Sequence, residues 1–257
     1  MQWQTISFDT LDSTNLEAKR LIQSQASAQS LHGTVITAES QTGGKGRLGR
    51  AWESPKSTGL WFTAIIEPRT TLAETSLYSF AAALSVAEGI FTATGLSPML
   101  KWPNDVLLNG KKLCGILLEL IPYSKTAYYL AVGIGINVYQ AKEDFPPELQ
   151  EKAISLAMAS NQHVDRMTLL DAILEQLQKN CTLLETQGFA SVRELWIAHS
   201  AIMGLEVSVQ QHGTPLYTGI VEDIAMDGSL LVRTVDGLQT VTAADVSLRS
   251  RDGNYTF

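Results

Sequence analysis

The opening QWQTISFD alternates weakly between apolar and polar positions and predicts a strand. Asp12, Ser13 and Thr14 then offer helix N-caps, and Thr14 with Glu17 fits a capping box, so a helix is expected from there to about Gln25. GTVITAES, rich in β-branched residues, predicts a second strand, and GLWFTAIIEP a third, stopped by Pro68. Leu77, Phe80, Ala81, Leu84, Ala87 and Phe91 keep the period of a helix lying on a sheet, with Gly95 to end it. VLLNGKKLCGILLEL places Asn109-Gly110 between two apolar runs. That is a strong hairpin signal, because both turn residues must take positive φ. TAYYLAVGIGINV adds another strand. The sheet is expected to be mixed or mainly antiparallel with helices packed on one face, an α+β layout.

Beyond Asn137 the pattern changes. YQAKEDFPPELQ, with Pro146-Pro147, reads as a loop or linker. Leu170, Ile173, Leu174, Leu177, Cys181 and Leu184 mark a helix that Gly188 stops, and a second helix follows over roughly 190–200. From about Leu205, short strands are punctuated by His212-Gly213, Asp227-Gly228 and Asp236-Gly237, the spacing of a small β-barrel or sandwich. The expected division is therefore 1–203 and 204–257.

A chain of 257 residues can bury a core without disulfides or metals. Its formal net charge of −7 argues against broad nucleic-acid binding, which needs an excess of cations, so no DNA partner is expected. The N-terminus lacks the basic start and apolar run of a signal peptide. No uninterrupted apolar stretch approaches the roughly 18 residues of a membrane span. A soluble, cytoplasmic protein without a membrane partner is expected. Cys114 and Cys181 belong to no CxxC motif; they could form one disulfide, but reduced, core-facing thiols are the expectation.

Against that acidic background, GGKGRLGR sets Lys45, Arg47 and Arg50 among Gly44, Gly46 and Gly49. Glycines are costly to order and like charges repel, so a loop with both suggests an anionic ligand. It is not a dinucleotide fingerprint, because AWESPKSTG follows where a helix would be needed. Nor is it a P-loop, since Gly49 is followed by Arg50 and Ala51 rather than Lys and a hydroxyl. Other stretches keep it company. Ser13-Thr14-Asn15 offers two hydroxyls and an amide that either cap a helix or read a small polar ligand. Gln41 stands at a strand exit. Lys101-Trp102-Pro103-Asn104-Asp105 gathers charge, amide and carboxylate around a proline that should hold Trp102 extended. Lys111-Lys112 begins a strand with Gly115 just beyond, and GIGIN ends one at Asn137, its glycines permitting close backbone approach.

DSTN, AESQTGGKGRLGRAW, KWPNDVLLNGKKLCGILLEL and VGIGINV, in this order and spacing, resemble the biotin protein ligase family over residues 10–138. The C-terminal strands are similar to that family's small SH3-like domain. The resemblance implies a class II synthetase-like catalytic fold, a C-terminal SH3-like β-barrel and a two-step reaction. Biotin is activated by ATP with Mg²⁺ as biotinyl-5′-AMP, then passed to a lysine of a biotin carboxyl carrier protein, by default the acetyl-CoA carboxylase subunit. Carried over by position, Ser13, Thr14, Asn15 and Gln41 would bind the biotin head. Lys45, Gly46 and Arg47 would belong to the loop that closes over it, and Gly115 would let biotin lie against backbone. Lys112 would stand between carboxylate and phosphate, with Arg47 and Asp105 as further catalytic candidates. Gly44, Lys45, Arg47, Arg50, Trp52, Lys101, Asn104 and Asn137 would serve ATP, and Asn104 the Mg²⁺. Leu48 departs from the family, in which a basic residue is common there. A homodimer formed through the sheet is also implied.

The nearest rival is a lipoate or octanoate ligase or transferase, against which the polar Ser13, Thr14, Asn15 and Gln41 set argues. A biotin-responsive regulator with an N-terminal helix-turn-helix is disfavoured, since only a strand precedes Ser13. The charge balance disfavours a nucleic-acid module.

Overall fold

The structure is a computed structural model that describes residues 2–24, 30–160, 163–211, 213–243 and 246–250. Gln25, His212 and the final residues of the 204–257 unit therefore lie outside the described residues.

The first sheet is assembled from β1 (Gln4–Leu11), β2 (Thr34–Gln41), β3 (Gly59–Ile66), β4 (Met99–Lys101), β5 (Asp105–Leu108), β6 (Lys111–Pro122) and β7 (Tyr128–Asn137). Their order is β1-β2-β3-β7-β6-β5-β4. Only β1 and β2 are parallel, joined by the crossover helix α1 (Thr14–Ser24); the other pairs are antiparallel, so the sheet is mixed. Asn109 and Gly110 turn β5 into β6 with φ of 51° and 75°, as a two-residue hairpin requires.

α2 (Tyr78–Thr94), α4 (Arg166–Gln187) and α5 (Phe189–Ala198) share one large core with Leu60, Phe62, Ala64 and Ile66 of β3. Gly95, at φ 73°, ends α2. The intervening α3 (Leu156–Ala159) is a single turn. The expectation of helices on one face holds for this group, whereas α1 crosses the opposite face. There Ala18 and Ile22 pack on Ile36, Ile65 and Ala131 in a smaller cluster. Both faces of β3 are thus buried. That second face is where the site lies.

The Thr14–Glu17 capping box does not form. α1 begins at Thr14, Glu17 N donates to Ser13 O, and the Thr14 hydroxyl turns instead toward Gln41 and Thr63. Residues 139–150 are a loop but not a linker. The chain returns so that Lys112 N donates to Lys152 O and Ile154 N to Lys112 O. One helical stretch among the described residues, Leu72–Thr94, is long and apolar enough to cross a membrane, yet most of its apolar part is buried within the fold. Cys114 and Cys181 are free and buried.

β8 (Glu206–Gln211), β9 (Thr214–Ile224), β10 (Leu230–Thr234), β11 (Gly237–Val241) and β12 (Val246–Ser250) form a second, antiparallel sheet ordered β11-β10-β9-β8-β12. Bulges near Leu231 and Val209 curve it, and Val207, Val209, Val221, Val232 and Leu248 are buried inside. A single sheet wrapped on one core is the SH3-like alternative rather than two stacked sheets. It is anchored to the first unit. Trp102 Nε1 donates to Gly228 O at 3.0 Å, and Arg193 donates to Ile224 O and pairs with Asp223.

Candidate active site

A cavity of about 590 Å³ opens on the α1 face of the first sheet. Its floor is made of glycines, each for a steric reason. A Cβ on Gly133 would stand 2.1 Å from Asn15 Oδ1, one on Gly135 2.5 Å from Trp52 Nε1, and one on Gly115 2.9 Å from the Trp52 ring. Gly115 pairs with Gly135, and Leu117 with Gly133, so the floor is a slot running along β6 and β7.

One end of the slot is polar and uncharged. The start of α1 brings Ser13, Thr14 and Asn15 to it, all buried. Gln41, closing β2, accepts from Thr14 N at 2.9 Å and donates to Ser54 Oγ at 2.8 Å. Asn15 is held by Glu119, Leu117 O and Thr63.

The other end is cationic. Among the described residues Lys45, Arg47, Arg50, Lys101, Lys112, Lys152 and Arg249 line it, against Glu53 and Asp105. Lys112 Nζ lies 2.6 Å from Asp105 Oδ1 and 5.2 Å from the centre of the Trp52 ring. Lys101 is 2% exposed, and burial pushes its ammonium down to about 7, although the Asp105 carboxylate opposes this. Burial also pulls the Arg47 pKa below the usual arginine value, partly offset by Asp105.

The glycine-rich loop folds over this end. Lys45 bridges Ala51, Gly46 N donates to Arg50 O at 2.7 Å, and Trp52 N donates to Gly44 O at 3.0 Å. Leu48 and Gly49 take positive φ in the turn between. Arg47 points inward, donating to Asn104 Oδ1 at 3.2 Å and to the carbonyl of Ala243 in the second unit. Residues 102–104 form a turn with a cis Trp102–Pro103 bond. Asn137, at the end of β7, donates to Ile154 O at 3.1 Å and accepts from Gln140 at 3.2 Å.

Every site residue expected from the sequence lines this cavity except Gly44, whose role is in the loop's backbone crossing. The sequence did not point to Phe145, Leu149 and Lys152 from the returning loop, or to Leu248 and Arg249 of β12. Phe145 and Leu149, apolar residues in a polar stretch, were the available signal. Asn104 does not offer a free metal ligand. Its oxygen accepts from Arg47 and its nitrogen donates to Ile116 O at 2.6 Å. No cluster of His, Cys, Asp or Glu suited to a metal ion occurs among the described residues. Mg²⁺ would enter as the counter-ion of a nucleotide triphosphate, a common mode for that ion.

An acid lying along the slot would bring its carboxylate to the cations, where a nucleotide phosphate would also be held. That is the arrangement of an acid-activating ligase. The sequence model of the Biotin/lipoate A/B protein ligase family matches residues 8–137, and that of the Biotin protein ligase C terminal domain matches 203–249. The bifunctional ligase/repressor BirA of Bacillus spizizenii is 35% identical over 240 residues, 93% of this chain and 72% of that one. The biotin–[acetyl-CoA-carboxylase] ligase of Paracoccus denitrificans is 35% identical over 239 residues, 91% of this chain and 96% of that one. The solved structure of the Aquifex aeolicus biotin protein ligase in complex with biotin and ATP matches with a TM-score of 0.82. It is 29% identical and the match covers 96% of this chain and 99% of that one. The chain belongs to the biotin protein ligase family.

Proposed function

We propose that this chain is an ATP-dependent ligase that activates biotin and attaches it to a lysine of a biotin carboxyl carrier protein in the cytoplasm. The observation that carries the reading is one slot with an uncharged polar end at Thr14, Asn15 and Gln41 and a paired ammonium, Lys112, at the other. A biotin carboxylate oxygen attacks the α-phosphorus of ATP, the bond to the β-phosphate bridge breaks, and pyrophosphate leaves. The carrier lysine then attacks the acyl carbon and AMP departs. Both partners in the first step are anions. Lys112, Arg47 and Lys101 offset that repulsion where it is greatest, and such preorganised charge is often the largest catalytic contribution. Asp105 holds Lys112 at the reacting end. Ser13, Thr14, Asn15 and Gln41 bind the ring, and Gly115 lets it lie on the backbone. Lys45, Gly46 and Arg47 cover the adenylate, and closure excludes the water that would hydrolyse it. Gly44 and Arg50 support the loop; Asn104 and Asn137 serve the nucleotide. This reading divides the chain into a catalytic unit, 1–203, and a C-terminal unit, 204–257, and the C-terminal domain match over residues 203–249 supports it.

The test is ATP–pyrophosphate exchange with each acid added separately. Exchange is expected with biotin and not with lipoate or octanoate. Exchange without biotin, or with lipoate in its place, would overturn the reading.

A further inference from the structure

Attack by the carrier lysine needs a proton acceptor. That lysine arrives as an ammonium, and its nitrogen has no lone pair to offer until a proton is taken. The cavity holds few groups able to take it. Among the described residues no histidine lines it, and its arginine guanidiniums do not give up their charge. Lys112 and Asp105 are committed to each other at 2.6 Å. Lys45, Glu53 and Lys152 are exposed. Lys101 differs from all of these, because it lines the cavity while only 2% exposed. It stands directly across the β4–β5 pairing from Asp105. Among the described residues the charged groups facing it are Asp105, Arg249 of β12, Lys112 of β6 and Arg50 of the glycine-rich loop. Burial, opposed by Asp105 and reinforced by the three cations, sets its ammonium at about 7. A group so placed can both give and take a proton near neutrality, as buried lysines that act as bases do.

We infer that Lys101 is the proton acceptor of the transfer step, charged while ATP is bound and neutral once pyrophosphate has gone. In the first step the triphosphate holds it as an ammonium. Pyrophosphate carries that proton away as it leaves. The neutral amine then takes a proton from the carrier ammonium. The freed lone pair forms the C–N bond to the acyl carbon, the bond from that carbon to the phosphate oxygen breaks, and AMP departs with the electron pair. The second proton shed by the nitrogen goes to the AMP phosphate. One side chain thus serves both steps with opposite charge. The inference rests on the ligase reading and adds to it the base of the second step.

The experiment isolates that step. Synthetic biotinyl-5′-AMP is bound without ATP, an apo biotin carboxyl carrier protein is added, and the single-turnover rate is followed from about pH 6 to about pH 9. In the unsubstituted protein the rate should climb with pH and level off near 7, where Lys101 is free to accept. Without an acceptor only the free-amine fraction of the carrier lysine reacts, and that fraction grows about tenfold per unit up to about pH 10. Lys101→Met should therefore be slower by roughly 10²–10³-fold near pH 7 and should climb across the whole range with no plateau. Lys101→Arg, charged but unable to accept a proton, should lose the plateau in the same way. A rate that never levels off in the unsubstituted protein, or a plateau kept in either variant, would overturn the inference alone. Failure of the unsubstituted protein to transfer biotin from the adenylate at any pH would sink the ligase reading and the inference with it.

Discussion

Lys112 and Lys101 sit in one cavity but in different environments, and each makes its own prediction. Lys112 is paired with Asp105, so its charge is fixed in place. Lys112→Ala should lower biotin-dependent exchange by roughly 10²–10³-fold with an unchanged circular dichroism spectrum. Exchange close to that of the unsubstituted protein would remove Lys112 from the mechanism. Lys101 titrates at about 7 because it is buried. A bound triphosphate favours its ammonium form, so nucleotide binding above that pH takes up a proton. Affinity for ATP should be highest below about pH 7 and fall as pH rises through it, by up to about tenfold per unit. Lys101→Met should bind ATP weakly with a flat profile. Isothermal titration from about pH 6 to about pH 9 checks this. These charged residues could be read from the sequence because Lys112 begins a strand between Gly110 and Gly115 and Lys101 stands in a cluster of charge, amide and carboxylate around Pro103. Thr63, Ser54 and Glu119 could not, since each is an ordinary strand or loop residue that reaches the site only through tertiary pairing.

Strands and turns are where the glycines matter. A Cβ on Gly133 would meet Asn15 Oδ1 at 2.1 Å, and Asn15 is already tied to Glu119, Leu117 and Thr63 and cannot yield. Gly133→Ala should cost about 1–3 kcal/mol in urea unfolding and should depress biotin-dependent exchange at least tenfold. Gly95→Ala is the control. Its φ of 73° is unfavourable to alanine but nothing lies within 4 Å, so stability should fall while exchange is kept. Equal losses of exchange in both variants would show that the floor has no special role. The hairpin at Asn109-Gly110, the helix stops at Gly95 and Gly188 and the strand runs follow from local chemistry that sequence displays. The placement of α1 does not. β3 is apolar on both faces, so its pattern offers no choice between them, and the parallel β1–β2 pairing decides where the crossover helix lands.

Across the whole molecule the two sheets share one hydrophobic cluster, from Phe62 and Leu84 to Val221 and Leu230. The β9–β10 turn is seated on α2, with Gly228 close enough that a Cβ would be 3.0 Å from Phe80. Calorimetry should therefore show one cooperative unfolding transition. Two well-separated transitions would mean that the units are independent. Trp102→Phe removes the donor to Gly228 O and should lower stability by about 1–3 kcal/mol while leaving that transition single. The sequence shows a run of short strands from about Leu205, punctuated by glycine turns. It gives no sign that Arg249 would reach the cavity or that Ala243 would hold Arg47, because such contacts depend on how the sheets dock.

Trp52 rests on Gly115 and Gly135, edge-on to Trp61 at 6.4 Å between centroids, with the Lys112 ammonium over its ring. An indole so placed is an optical gauge built into the enzyme. Biotin entering beside it must change its surroundings, so the intrinsic fluorescence should shift on addition of the vitamin. Trp52→Phe should remove most of that shift, leaving the smaller part that comes from Trp102, which also lines the cavity. Arrival and departure of the acyl nucleotide could then be timed in a stopped-flow cell, without a dye or a radioactive label.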